Sequence, residues 1–329
     1  MKLQILIPQY NETEEIIKPL LDSIALQQNV DLKNDIGVII ANDGSDVVLS
    51  DEFLEAYPFD ILYIMAPHQG VSATRNVCLD HATADYVMFC DADDMFYNAC
   101  GLWIILREID GDGFDSLVSV FLEESRTPDT KEVIYINHDM DSTFVHGKVH
   151  RRQYLLDKKI RWNPALTIHE DSFFNIQCQN LSQNVKYCQT PFYLWKWRDD
   201  SVCRHDPKYI LKTYQNMIDS NSALVDEFLK RGIQDKAMFY TAFMIFDAYY
   251  TMNKPEWINQ ENKQYRDLTE KHFARYFKKR KDLWNSISQQ DKMMISNQIR
   301  SRSVMEGMLM EAVTIDAWLK KIEKMAKGK

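Results

Sequence analysis

The chain of 329 residues is 45% hydrophobic and carries 39 lysines and arginines against 48 aspartates and glutamates, a formal net charge of −9. That length suits one large domain or two ordinary ones, with enough apolar residues for a substantial core. The negative charge disfavours nonspecific binding to nucleic acid phosphates, and no apolar run is long enough to cross a bilayer.

The opening stretch, MKLQILIPQY, is an apolar run interrupted by Gln4 and Pro8, too brief and too polar for a signal peptide. Buried strands are expected at 3–8, 36–41, 61–65, 86–90 and 116–120, with helices at 12–28 and 70–83, the first bent or broken by Pro19. Strand and helix in alternation predict an α/β, Rossmann-like fold: a mostly parallel sheet flanked by helices, binding its ligand at the carboxyl ends of the strands. Residues 121–206 read as mixed, with strands at 131–137 and 192–197 and a helix at 170–181. Beyond Pro207 the periodicity is helical, so the expected division is 1–206 followed by an appended all-helical domain, 207–329. Cys78, Cys90, Cys100, Cys178, Cys188 and Cys203 show no CxxC spacing and read as reduced thiols of a cytoplasmic protein.

Three polar stretches fall at expected strand ends: PQYNE (8–12), NDGSD (42–46) and DADD (91–94). Alternate side chains of a strand share a face, so Asp91 and Asp93 are expected to project together, with Asp94 turned aside. Such a pair resists joint ionisation unless a cation lies between, and hard oxygen ligands suit Mg2+ or Mn2+; an acidic turn capping a helix has the same spelling. Pro8 and Tyr10 offer a rigid turn and a ring for a planar ligand, or a turn with Tyr10 half buried. Asp43 either accepts a ligand N–H or makes an Asx turn through Gly44. Arg75 lies in the first turns of the helix after Gly70, whose positive end favours phosphate. Glu170 and Asp171 open a helix, where acids either do chemistry or complement its dipole.

In this order and spacing, PQYNE, NDGSD, GVSATRN (70–76), DADD and HEDSFFN (169–175) resemble the family 2 glycosyltransferases over residues 1–206. The resemblance implies a GT-A fold, a nucleotide-sugar donor of the UDP-sugar type, a divalent Mn2+ or Mg2+, and transfer with inversion at the anomeric carbon. It places Pro8, Tyr10, Glu12, Asp43, Arg75 and Asp91 on the donor, with Asp43 on a pyrimidine N–H and Asp91 on the ribose. Asp93 takes the metal bridging the diphosphate, and Asp171 becomes the general base with Glu170 beside it. The stretch 195–205, WKWRDDSVCRH, resembles a loop that closes over the diphosphate, adding Arg198 and Ser201 to the donor contacts and His205 to the metal shell. Residues 144–163 resemble the segment that shapes the acceptor side, although Arg151 and Arg152 read equally well as solvated surface. His68 and Thr74 depart from the family wording, which has Asn and Ala there.

Two rival readings share these residues. A nucleotidyltransferase also sets a carboxylate-bound metal on an α/β sheet, but normally with a Gly-rich phosphate loop that IPQYNE lacks; a non-catalytic carbohydrate-binding protein would keep the fold without turnover. On the leading reading the acceptor is a glycan, a polyol-phosphate or a lipid-linked chain. The tail places Trp318, Leu319, Ile322 and Met325 opposite Lys320, Lys321, Lys324 and Lys327. That stripe suits either peripheral contact with a membrane surface or packing, on its own domain or in a homo-oligomer, and packing is preferred.

Overall fold

Apolar runs without polar alternation require cover on both faces, and the central strands receive it. The computed structural model describes residues 1–127, 129–139, 141–199, 206, 208–305 and 314–326, and the chain forms two compact units, Met1–Ser201 and Val202–Lys329. In the first unit β1 (Leu3–Gln9), β2 (Ile36–Asp43), β3 (Asp60–Ala66) and β4 (Tyr86–Phe89) lie parallel in the order β3-β2-β1-β4. The sheet continues through β8 (Lys148–Arg151), β6 (Ser116–Arg126), β9 (Val185–Trp195) and β5 (Met95–Phe96), while β7 (Val133–His138) hangs on β6. β8 runs antiparallel to β4 and β6, which restores β6 and β9 to the direction of the first four strands.

One face packs Leu3, Ile5, Ile7, Val38 and Ile40 onto Ile17, Leu20 and Ile24 of α1 (Glu14–Ala25). Short α2 (Leu32–Asp35) and α3 (Asp51–Glu55) lie between the next strands. The opposite face packs Leu6, Ile39 and Ala41 onto Cys78 and Leu79 of α4 (Val71–His81), with Trp162 and Phe174 beyond. α5 (Gly101–Asp110), α6 (Arg152–Asp157) and α7 (Glu170–Asn180) complete the unit. The result is the α/β sheet expected, with helices on both sides.

Local expectations fail where a neighbour overrides the pattern. α1 runs unbroken through Pro19, because the carbonyl that proline frees belongs to Glu15 on the exposed side of the helix. β3 is the sheet edge rather than an interior strand, so Leu62 and Met65 are 45% and 55% exposed. β7 has β6 as its partner, and Val133 to Ile136 remain exposed. β8, spelled KVHR, has too few apolar residues to announce itself, yet sits between β4 and β6 and buries Lys148 and His150.

The second unit contains α8 (Tyr209–Lys230), α9 (Gln234–Met252), α10 (Pro255–Ile258), α11 (Lys263–Ser286), α12 (Gln289–Met305) and α13 (Ile315–Ala326). Its core joins Tyr214, Ile218, Met244 and Phe273 to Trp318, Leu319 and Ile322 of α13. The tail stripe is therefore a packing face: Trp318 lies 5.1 Å from the Phe273 ring, and Lys321 pairs with Glu270. Met325 is partly buried on the same cluster, and Lys327 lies outside the described residues. Ile322→Val should lower stability by about 1 kcal/mol in a urea titration, whereas a lipid-facing residue would leave the midpoint unchanged. Among the described residues no helix is long and apolar enough to cross a membrane.

Candidate active site

The carboxyl ends of β1, β2 and β4 bring three polar stretches together because the paired registers end side by side, Gln9 beside Asn42 and Leu6 beside Phe89. The turn after β2 is closed by Asn42, whose side-chain oxygen accepts from the Ser45 N–H at 2.8 Å. Asp43 is left for another task. Its carboxylate accepts from the backbone N–H groups of Gln69 at 2.8 Å and Gly70 at 2.9 Å, tying β2 to the entrance of α4, and His68 Nδ1 lies 3.0 Å away. A carboxylate has about four lone-pair sites, so Asp43 retains room for one further donor. Gly44, at φ +67°, lies so close that a Cβ there would stand 2.5 Å from the His68 nitrogen. Gly44→Ala should therefore cost about 1–3 kcal/mol of stability, read as a fall in Tm.

Tyr10 is 48% exposed and stacks on His68, ring centroids 4.6 Å apart. The departure from the family wording at His68 thus gives Tyr10 its partner. Pro8 sits in β1 beside Ala41, and Glu12 folds back to accept from the Tyr10 N–H. These residues form one wall at the tips of β1 and β2.

Arg75 does not point out of the α4 terminus toward an anion. Its guanidinium is buried, donating to Asp91 at 2.7 Å and Glu170 at 2.9 Å, and lies 4.4 Å from the Trp162 ring centroid. Although burial alone would weaken it, Asp91 and Glu170 raise its pKa and keep it ionised. Its Nε is buried without a partner. Two carboxylates on separate elements take up this cation, so Arg75 bridges the acidic turn and α7.

The three aspartates after β4 go three ways. The strand stops at Phe89 and the chain turns, Asp94 N–H to the Asp91 carbonyl, so the alternation expected for Asp91 and Asp93 does not apply. Asp91 meets Arg75; burial pushes its carboxyl up, but Arg75 outweighs that and holds it below the usual range. Asp93 pairs with Arg198 at 3.0 Å and is raised by burial and by Asp91. Asp94 is buried, accepting from the Tyr193 hydroxyl at 2.6 Å and the Lys196 N–H at 2.9 Å, and burial with its two neighbours pushes it well above the carboxylate range.

Sequence reasoning did not single out His146, which lies just before β8 in the 144–163 stretch. Its Nδ1 is buried, 3.5 Å from Asp94 Oδ2, without a hydrogen-bond partner, and burial lowers its pKa to about 3, leaving a neutral imidazole. Ligand atoms of Asp91, Asp94 and His146 lie within 4.8 Å of one another. The expected metal residues were Asp93, which faces Arg198, and His205, which with Ser201 lies outside the described residues.

α7 begins after His169, held at φ +62°. Glu170 turns to Arg75, while Asp171 accepts from the Ser172 N–H at 2.7 Å. Burial and Glu170 push the Asp171 carboxyl up to about 7, against the pull of Arg75. Lys148, buried in β8, is lowered to about 8 by burial, with Asp141 and Asp171 opposing. Arg151 and Arg152 are elsewhere: Arg151 pairs with Asp115 and Arg152 donates to the Ala84 carbonyl, near the start of β4 and away from the strand tips.

Residues 4–169 match the family model Glycosyl transferase family 2. The chain belongs to that family. The matched stretch of this glycosyltransferase contains Asp43, Arg75 and all three aspartates of the turn, and it ends one residue before Glu170. Over 227 residues it is 26% identical to glycosyltransferase GlyA of Streptococcus pneumoniae serotype 4, covering 62% of this chain. Over 194 residues it is 24% identical to the poly(ribitol-phosphate) β-N-acetylglucosaminyltransferase TarS of Staphylococcus aureus (strain MW2), covering 54%. The chain spans 32% of the length of each of these longer relatives. In three dimensions it matches S. aureus TarS 1–349 with a TM-score of 0.64 at 17% identity, covering 100% of this chain and 92% of that one, which shows the shared GT-A fold. The same protein has been solved with UDP and with UDP-GlcNAc, matching at TM-scores of 0.62 and 0.57.

Proposed function

We propose that this glycosyltransferase moves a sugar from a UDP-sugar to an acceptor hydroxyl with inversion, using Asp171 as general base. The observation that carries the reading is the Asp171 carboxyl, raised to about 7 and joined to the strand tips through Glu170, Arg75 and Asp91. A base is most effective when its pKa lies near the working pH, and this one changes charge there. The UDP and UDP-GlcNAc complexes of TarS support the donor class.

In this reading the base ring of the donor lies on Tyr10, with its N–H toward the remaining lone pair of Asp43. Asp91 faces the ribose. Arg198, paired with Asp93 at 3.0 Å, reaches the diphosphate. The family implies a divalent cation, and the residues fit one: acidic oxygens of Asp91 and Asp94 stand with an unpartnered buried imidazole nitrogen, and Asp93 flanks them. Bound there, Mn2+ or Mg2+ supplies Lewis-acid stabilisation of the diphosphate leaving group. Asp171 accepts the proton of the attacking hydroxyl, and Glu170, fixed by Arg75, keeps that carboxyl from ionising early.

The acceptor is a glycan or polyol-phosphate chain, free or lipid-linked, and the helical unit 207–329 contributes to its binding or to self-association. Free thiols at Cys78, Cys90 and Cys178 suit a cytoplasmic site of action. The test is UDP release from UDP-sugars with Mn2+ and with EDTA; a folded chain that binds and turns over none of them refutes the reading, and pyrophosphate release would favour nucleotidyl transfer. Asp93→Asn should weaken donor binding in Mn2+ by on the order of 10-fold, about 1.4 kcal/mol, with a smaller change in EDTA, where only the Arg198 pair is lost.

A further inference from the structure

Between α5 and β9 the first unit opens a cleft of about 460 Å³ that plays no part in the chemistry above. It is separate from the acidic turn. Tyr187 lines the cleft opposite Val118 of β6, and Tyr193, whose hydroxyl meets Asp94, stands opposite Phe121, three β6 residues on; at about 3.3 Å per residue the two are separated by roughly 10 Å.

One wall is Trp103 and Arg107, a helical turn apart on α5, with the guanidinium 4.9 Å from the indole centroid. Glu108 of α5 and Lys186 of β9 form an ion pair at 3.0 Å, and Tyr187 and Gln189 line the strand side. Trp103 is 36% exposed and Tyr187 53%, although two large aromatics would gain more from the core. The lining therefore offers flat apolar rings edged by a paired carboxylate and ammonium and by an amide.

A pyranose has matching chemistry, with faces of C–H bonds and a rim of hydroxyls that both donate and accept. A lipid chain would leave the Glu108–Lys186 pair unsolvated, and a free phosphate would meet the Glu108 carboxylate with Arg107 already laid on the indole. The volume admits roughly two sugar rings.

We propose that this cleft is a second saccharide-binding site, holding a distal portion of the acceptor chain while its end is glycosylated at the strand tips. The assignment of the occupant rests on the reading of the acceptor as a glycan. The sugar repeats of a bound chain would bridge the two sites, so affinity for long acceptors would exceed affinity for short ones.

The test is fluorine NMR of the full chain labelled with 5-fluorotryptophan, the Trp103 signal being assigned by its loss in Trp103→Phe. Chitotetraose, cellotetraose and tetragalacturonate serve as probes, up to ~10 mM, since a shallow site binds single oligosaccharides in the millimolar range. The expected result is a saturable shift of the Trp103 signal with at least one probe, unaffected by saturating UDP and weakened about threefold or more by Gln189→Ala or Lys186→Met. Silence of Trp103 toward all three probes overturns the proposal, as does a shift that UDP abolishes. UDP binding is measured on the same samples: a chain that binds UDP while Trp103 stays silent loses the cleft and keeps the transfer reading, whereas the reverse pattern keeps the cleft and loses the transfer reading.

Discussion

Asp171→Asn is expected to lower the transfer rate by on the order of 10^2- to 10^4-fold, while UDP-sugar affinity changes by less than about twofold. The amide has the size of the carboxyl and can still accept from the Ser172 N–H, so the fold has no reason to change. What disappears is the group proposed to take the hydroxyl proton. In the native enzyme the rate should rise with pH through about 7 as Asp171 ionises, and that limb should be missing from the residual activity of the variant. Stability should move the opposite way. A carboxyl whose folded pKa lies above its unfolded value of about 3.9 holds its proton more tightly in the folded state, so stability is lost as pH rises from about 4 through 7. The asparagine variant escapes this loss and should melt higher than the native chain at pH 8. A variant that keeps the pH limb, or melts lower at pH 8, would place the base elsewhere.

Arg75→Leu is the second large effect. It strips the shared cation from Asp91 and Glu170 and leaves two carboxylates facing each other across a buried gap. Breaking a buried pair typically costs 3–5 kcal/mol, and about 3 is expected because the Asp91 side chain is 32% exposed and water can reach it. The loss of the guanidinium over Trp162 acts in the same direction. Arg75 also restrains Asp171, so its removal should displace the rising limb of the rate profile to higher pH. A purely structural arginine would lower stability and leave that limb in place. Arg75→Lys should rescue part of the stability but not the profile, since one ammonium cannot match the forked contact with two acids. Urea titration and a pH series of initial rates read the two effects separately.

The parallel core of the sheet was legible because runs such as LQILIP and IGVIIA leave no polar face, which suits only strands covered on both sides. The gathering of 8–12, 42–46 and 91–94 followed from the rule that such sheets present their loops at one edge. Finer geometry was hidden by partners distant in sequence. Strand alternation at DADD fails because the ladder ends at Phe89, a fact set by how far β1 and β8 accompany β4. The direction of Arg75 depends on Glu170, 95 positions away. His146 falls in the 144–163 stretch, but no expectation there set it toward the aspartates, and its place beside Asp94 arises from packing among Phe144, Tyr193 and Trp195. The only advance hint was that Val145 and Val149 bracket a polar stretch with period-two spacing across Gly147, too slight to mark a strand.

The flat contact of Tyr10 on His68 gives the enzyme an internal reporter. A ring 4.6 Å away shields the imidazole protons, displacing their resonances from those of a solvated histidine. Anything planar that slides onto Tyr10, or draws it off, must alter that shielding, so occupancy of the proposed nucleobase wall can be followed at His68 without a label.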